Sequence, residues 1–343
     1  MALLTAVPLL ITSVNGAIAD LNSTGPVSAP CDIYARGNTP CVAAHSLTRA
    51  LYGAYDGPLY NVKRSDGTAK DIFVTAAGGF ANTTAQDTFC EAGSCVVQKI
   101  YDQSPMQNHL GIEHGAPNLH PPRNIQDLGV NFTDPRCKAT VGGHPVYAAV
   151  FEGDPRGSGH PFKGQGYSNR TAQGTAVGDE PQSMYAVFAG GNFHGGCCFD
   201  YGNAENVNKQ GQAGPMFDGS MEAIYWQFGH LGADMENGIY GTTAVPGVEF
   251  VAGFVKGNSG NHYSVRAGDA QKAGSLKTLY DGPRPKGYEV MKKQGGIVLG
   301  IGGDNSPWAS GIFYEGVMTS GYAADSTDQA VMANIVAAGY AKR

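Results

Sequence analysis

Charge is scarce in this chain. Only 15% of its 343 residues are Asp, Glu, Lys or Arg, and the formal balance of -6 leaves no basic stripe. Polyanions are recognised through such stripes, so nucleic acid is excluded as a partner, and an acidic membrane surface with it. No apolar run is long enough to cross a bilayer: the stretch from Ala2 to Val14 is short and is broken by Pro8, Thr12 and Ser13. Internal repeats, heptads and low-complexity tracts are missing, which counts against a structural cell-wall protein. No second cysteine pair or histidine cluster stands at metal-ligand spacing, so no metal is expected. His45, His109, His194 and His230 lie in separate motifs without a serine or cysteine partner, which gives no support to a hydrolase triad.

Glycine is abundant instead, with 50 residues, and it punctuates many short apolar or alternating runs. Val96–Tyr101, Met184–Phe188, Glu249–Val255, Tyr263–Arg266 and Ile297–Ile301 read as strands, and their number predicts an all-β sandwich with a few short helices. One helix is expected from Leu47 to about Tyr55, capped by Ser46. A closing helix is expected from Asp325 to Tyr340, capped at Ser326 or Thr327, with Val331, Ile335, Val336 and Ala338 on one face.

The N-terminus, Met1 to Ala19, reads as a secretion signal without a basic n-region: an apolar stretch precedes the small-residue site Ala17-Ile-Ala19. Asp20 to Ala29 is a polar lead-in. Secretion agrees with acceptor patterns for N-glycosylation at Asn22, Asn82, Asn131 and Asn169, each followed two residues later by threonine. Seven cysteines in a secreted chain imply disulfides and one residue left over. Cys31 with Cys41 and Cys90 with Cys95 are close enough in sequence to staple short loops, and Cys197 and Cys198 are adjacent. Cys137 is then the odd one, a buried free thiol or an exposed reactive one.

Carboxylates stand out against this background in two places. Ala233-Asp-Met-Glu-Asn-Gly238 would place Asp234 and Glu236 on one face of an extended strand. Gly302-Gly-Asp-Asn305 follows the apolar run Gly296–Ile301, which puts Asp304 at the exposed end of a buried strand. Two positioned carboxylates are what cleavage of a glycosidic bond requires. On local sequence alone, Glu236 reads as a solvated strand residue and Asp304 as a turn former, while for Asp234 a structural ion pair is the lesser alternative to a ligand contact.

The wider pattern decides between these readings. Pro30-Cys-Asp-Ile-Tyr-Ala35, Thr39-Pro-Cys-Val-Ala-Ala-His-Ser46, Cys197-Cys-Phe-Asp-Tyr-Gly-Asn-Ala-Glu205, Leu299-Gly-Ile-Gly-Gly-Asp-Asn-Ser306 and Phe313-Tyr-Glu-Gly-Val-Met-Thr-Ser-Gly-Tyr322 flank the two carboxylate motifs in order. Together they resemble glycoside hydrolase family 54, the fungal arabinofuranosidase B type, over nearly the whole chain. The resemblance implies a concanavalin-like or jelly-roll sandwich over residues 30–343, with no arabinose-binding module after it. It implies a secreted, monomeric, retaining exo-α-L-arabinofuranosidase without metal or organic cofactor. Its partners would be arabinose-containing plant cell-wall polysaccharides or oligosaccharides.

By motif match, Glu236 takes the nucleophile role and Asp304 that of acid/base, with their carboxyl groups about 5 to 5.5 Å apart. Should Asp304 fail that role, Glu315 is the next candidate. Asp234 matches a position that binds sugar hydroxyls. Asn237, Gly238 and Gly303 are secondary contacts, with glycine permitting close approach of the sugar. The resemblance also implies a disulfide between Cys197 and Cys198, whose apolar face suits a furanose ring. Trp226, ten residues before Glu236, falls near the family's aromatic wall, with a core position as its alternative. The segment from Tyr225 to Asp234 is shorter than in the family. That shortening admits a β-D-galactofuranosidase as the competing enzyme, and a lectin-like sugar-binding sandwich competes from outside the enzymes.

Overall fold

The computed structural model describes residues 28–114, 126–153, 164–191, 196–207 and 213–343. The expected secretion signal and Asn22 lie outside the described residues, as does His194.

Two antiparallel sheets carry the fold. The larger has ten strands, in spatial order Ile239–Ala244, His230–Asp234, Glu222–Gln227, Asp200–Ala204, Gly296–Leu299, Tyr167–Asn169, Leu110–Ile112, Cys95–Ile100, Pro58–Arg64 and Ala69–Phe73. The second has seven, with Gly311–Ser320, Gln182–Ala189 and Phe250–Asn258 at its centre. The expected all-β sandwich is therefore present, and the bounds of the five strands read from sequence lie within three residues of Cys95–Ile100, Gln182–Ala189, Phe250–Asn258, His262–Asp269 and Gly296–Leu299.

Strand periodicity explains the layers. Along Gln182–Ala189, Met184, Ala186 and Phe188 enter the core between the sheets, where they meet Tyr201, Ile224, Trp226 and Leu299. The alternate residues Tyr185, Val187 and Ala189 face a second core, which Tyr34 and Val331, Met332 and Ile335 close from outside. Both faces of this sheet are buried, so its strands read as continuous apolar runs. The ten-stranded sheet instead turns one face outward, where Ala204, Met221, Ala223, Val298 and Ile301 form a small cluster. That outer face carries the site.

The helices differ from expectation. Residues 47–55 form turns rather than a helix. Ser46 Oγ accepts the N–H groups of Thr48 at 3.0 Å and Arg49 at 3.1 Å, as a cap would. The helix does not propagate because the Ala50 and Leu51 N–H groups go to Gly79 C=O and Gln103 Oε1. Two helices were not expected from sequence: Pro30–Arg36, a two-turn helix with proline in its first turn, and Thr83–Cys90, whose buried residues Thr83 and Gln86 are polar. Asn82 caps the latter, its Oδ1 accepting the Ala85 N–H at 3.1 Å. The closing helix is Asp325–Ala337, its N-cap is Ala324 rather than Ser326 or Thr327, and Tyr340–Lys342 is a strand in a three-stranded sheet.

Disulfides join Cys31 to Cys41, Cys90 to Cys95 and Cys197 to Cys198. Cys137 is a buried free thiol, and burial pushes its pKa up to about 11.

Candidate active site

Asp234 ends the His230–Asp234 strand and pairs with Ile239, the first residue of the next. Between them the chain reverses through Glu236 and Asn237, whose φ angles are 63° and 57°, while the Met235 N–H bonds to Gly238 C=O at 3.0 Å. A tight hairpin needs two left-handed residues; asparagine adopts that conformation readily, but for glutamate it costs about 1–2 kcal/mol. Three bonds hold Glu236 and its neighbour there. Asp234 Oδ1 accepts the Glu236 N–H at 2.9 Å, Glu236 C=O accepts the Tyr288 hydroxyl at 2.9 Å, and Asn237 Nδ2 donates to Asp218 Oδ1 at 3.0 Å. Asp234 and Glu236 are thus not same-face residues of one extended strand, as the spacing suggested. The turn, not the pleat, brings Glu236 beside Asp234.

The opposite wall is the turn after Gly296–Leu299. The Asn305 N–H closes it onto Gly302 C=O at 2.9 Å, and Asp304 Oδ1 accepts the Ser306 N–H at 2.8 Å. Asp304 is half-buried and faces a cleft of about 420 Å³. Glu236, Asp234, Asn237, Gly238, Gly303, Cys197 and Cys198 line the same cleft. Cys198 Sγ lies 3.6 Å from Asp234 Oδ2. Because the two sulfurs are bonded to each other, they offer no thiolate to a metal despite their closeness to Asp234.

Two acids that sequence analysis had not singled out lie beneath. Asp200 and Glu205 flank the Asp200–Ala204 strand and are wholly buried. Asp200 faces Asp234, and Glu205 Oε2 and Glu236 Oε2 converge on Gly303. Burial, followed by repulsion from Glu205, Asp234 and Asp304, pushes Glu236 up to about 10. Burial likewise pushes Asp234 up to about 7 and Asp200 well above the carboxylate range. Glu205 is raised by burial too, against the Ser220 hydroxyl and Arg170, which favour its anion. The signal for these acids was available: two carboxylates at the ends of a short strand in a charge-poor chain.

Gly303 sits against the Glu205 and Glu236 pair. A Cβ at this position would lie 2.1 Å from Glu205 Oε2 and 2.6 Å from Glu236 Oε2. The glycine therefore makes room for the protein's own carboxyl groups. Gly238 is constrained by Tyr240, whose hydroxyl would be 2.4 Å from an added Cβ.

Trp226 is not part of the cleft. On the Glu222–Gln227 strand, Ala223 pairs with Asp234 and shares its outer face, so Trp226 points the other way. It is completely buried, stacks on Phe188 with centroids 6.4 Å apart, and donates Nε1–H to Ala189 C=O at 3.1 Å. The cleft's tryptophan is Trp308, missed in the sequence, whose N–H bonds to Cys197 C=O at 3.3 Å. The segment before Asp234 closes as a two-residue turn at Phe228 and Gly229. That turn is four strand residues, or about 13 Å, from Asp234 along the strand. Glu315 is also elsewhere: it is buried in a bidentate pair with Arg49 at 2.7 Å.

Residues 30–341 match the family model described as "Alpha-L-arabinofuranosidase B, catalytic". The chain is 45% identical over 341 residues to "Alpha-L-arabinofuranosidase B" of Aspergillus oryzae, and 44% identical over 341 residues to "Alpha-L-arabinofuranosidase" of Hypocrea jecorina. Each alignment covers 92% of this chain and 63% of the relative, so the chain spans less than two thirds of their length. A solved arabinofuranosidase complexed with arabinofuranosyl-alpha-1,2-xylobiose superimposes with a TM-score of 0.80 at 40% identity, covering 92% of this chain and 66% of that one. With the family model matched over almost its entire described length, the chain belongs to the α-L-arabinofuranosidase B catalytic family, glycoside hydrolase family 54.

Proposed function

We propose that this chain is a retaining exo-α-L-arabinofuranosidase in which Glu236 is the nucleophile and Asp304 the acid/base. One observation carries the reading: Glu236 and Asp304 enter a single small cleft from two separately braced turns, beside a third carboxyl, Asp234. Glu236 attacks the anomeric carbon as Asp304 protonates the departing oxygen, and Asp304 then deprotonates the water that releases the sugar. Asp234 accepts sugar hydroxyls, bonds that are strong when the acceptor is charged. The disulfide of Cys197 and Cys198, with Trp308 beside it, offers the furanose an apolar wall.

Arabinose-bearing oligosaccharides of the plant cell wall are the substrates we infer, supported by the arabinofuranosyl-xylobiose held by the related structure. The three disulfides support work in an oxidising compartment outside the cell. Hydrolysis of an aryl α-L-arabinofuranoside, followed by proton NMR of the first-formed sugar, tests the reading. Release of the retained anomer is expected. Inversion, preference for an aryl β-D-galactofuranoside, or binding without turnover would each overturn it.

A further inference from the structure

We propose that Glu205 is a positioning residue that carries a proton toward Glu236 and keeps donating it to the nucleophile's carboxyl group throughout turnover. The inference rests on Glu236 being the nucleophile. It starts from geometry. Glu205 is fully buried, and its Oε1 accepts the Ser220 hydroxyl at 2.5 Å. Its Oε2 and Glu236 Oε2 converge on Gly303, at 2.1 and 2.6 Å from the position of the missing Cβ. Two buried carboxyl groups whose oxygens approach this closely cannot both stay ionised, so the pair holds a proton between them.

The surroundings indicate where that proton lies during reaction. Facing Glu205 are Glu236 and Asp234 from the hairpin and Arg170 from beyond the Tyr167–Asn169 strand, with Asp304 across from Glu236. Arg170 is committed elsewhere: it pairs with Glu113 at 2.7 Å and donates to the Glu205 and Gly303 carbonyls. A pair sharing one proton titrates as a unit, and both members are raised. Positive charge developing on the anomeric carbon stabilises the Glu236 anion, so in the reacting protein the proton resides on Glu205.

The balance is then simple. Glu236 forms the bond to the anomeric carbon, the glycosidic bond breaks, and the leaving oxygen takes its proton from Asp304. Glu205 gains and loses nothing. Its O–H donates first to the Glu236 carboxylate and then to the carbonyl oxygen of the glycosyl ester, which eases departure of Glu236 in the second step.

Infrared difference spectroscopy near neutral pH tests the proton without turnover, and so independently of the nucleophile assignment. Glu205→Gln should remove one protonated-carboxyl band, and Ser220→Ala should raise the pH at which that band titrates, because the lost hydroxyl favoured the Glu205 anion. An unchanged band in Glu205→Gln, or a midpoint that stays or falls in Ser220→Ala, would overturn the proposal. With a dinitrophenyl arabinofuranoside, Glu205→Leu should lower kcat about a hundredfold with little change in KM, the usual loss for one aimed donor. Glu205→Gln, which keeps a donor, should recover most of it. Equal losses in the two variants would also overturn the donor role. Turnover surviving in Glu236→Gln would instead sink the nucleophile assignment and leave the infrared result standing.

Discussion

Replacing Gly303 by alanine separates a glycine that merely forms a turn from one that makes room for the Glu205 and Glu236 carboxyl groups. Gly303 is not among the residues with positive φ, so its backbone accepts alanine. A turn-forming role therefore predicts a nearly neutral substitution, within about 0.5 kcal/mol. The added methyl would however stand 2.1 Å from Glu205 Oε2, 2.6 Å from Glu236 Oε2 and 2.8 Å from Met221 Sδ, where ordinary contact begins near 3.4 Å. Glu236 must then withdraw by about 1 Å, a misplacement that costs about a hundredfold in rate. Overpacking adds a stability loss of about 1–3 kcal/mol, or a few degrees in Tm. Aryl arabinofuranoside kinetics beside a thermal melt read both effects. A folded Gly303→Ala protein with wild-type kcat would refute the reasoning.

The two tryptophans should part company: Trp226→Ala costs about 3–5 kcal/mol in denaturant melts, while Trp308→Ala leaves stability nearly intact and raises KM. Asp304→Ala should slow substrates with poor leaving groups most and be rescued by azide, which intercepts the intermediate without base help; equal losses and no rescue would exclude Asp304 as acid/base. Asp234 has an ordinary pKa of 3.8 when unfolded and about 7 when folded, so the folded protein keeps a proton that the unfolded chain releases in this window. Its contribution is full below the lower value and disappears as pH rises through the upper one. Thermal melts at about pH 5 and about pH 8 should show a smaller drop in Asp234→Asn than in wild type, and an equal drop would count against a carboxyl raised by burial at Asp234.

The sandwich was legible because short apolar runs between glycines leave few alternatives, and the two carboxylate segments of the cleft stood out because charge is rare here, although the first reads as an extended strand and folds as a turn. What escaped depends on facing rather than on residue type. One position decides whether a strand residue meets the core or the cleft, and Trp226 lies one position off the parity of Ala223. Helix Thr83–Cys90 has no clean apolar stripe, and the start expected at Ser46 is diverted by tertiary acceptors at Gly79 and Gln103. Asp200 and Glu205 were in view as sequence, but their pairing with Asp234 and Glu236 exists only once the Asp200–Ala204 strand lies across the sheet from the hairpin.

The central claim is that Glu236 bonds to the sugar. Incubation with a fluorinated furanosyl reagent, followed by peptide mass mapping, tests it most directly. The account predicts a single adduct on the peptide containing Glu236, absent in a folded and inactive Glu236→Gln protein. An adduct on any other carboxyl group, or full turnover in that variant, would contradict it.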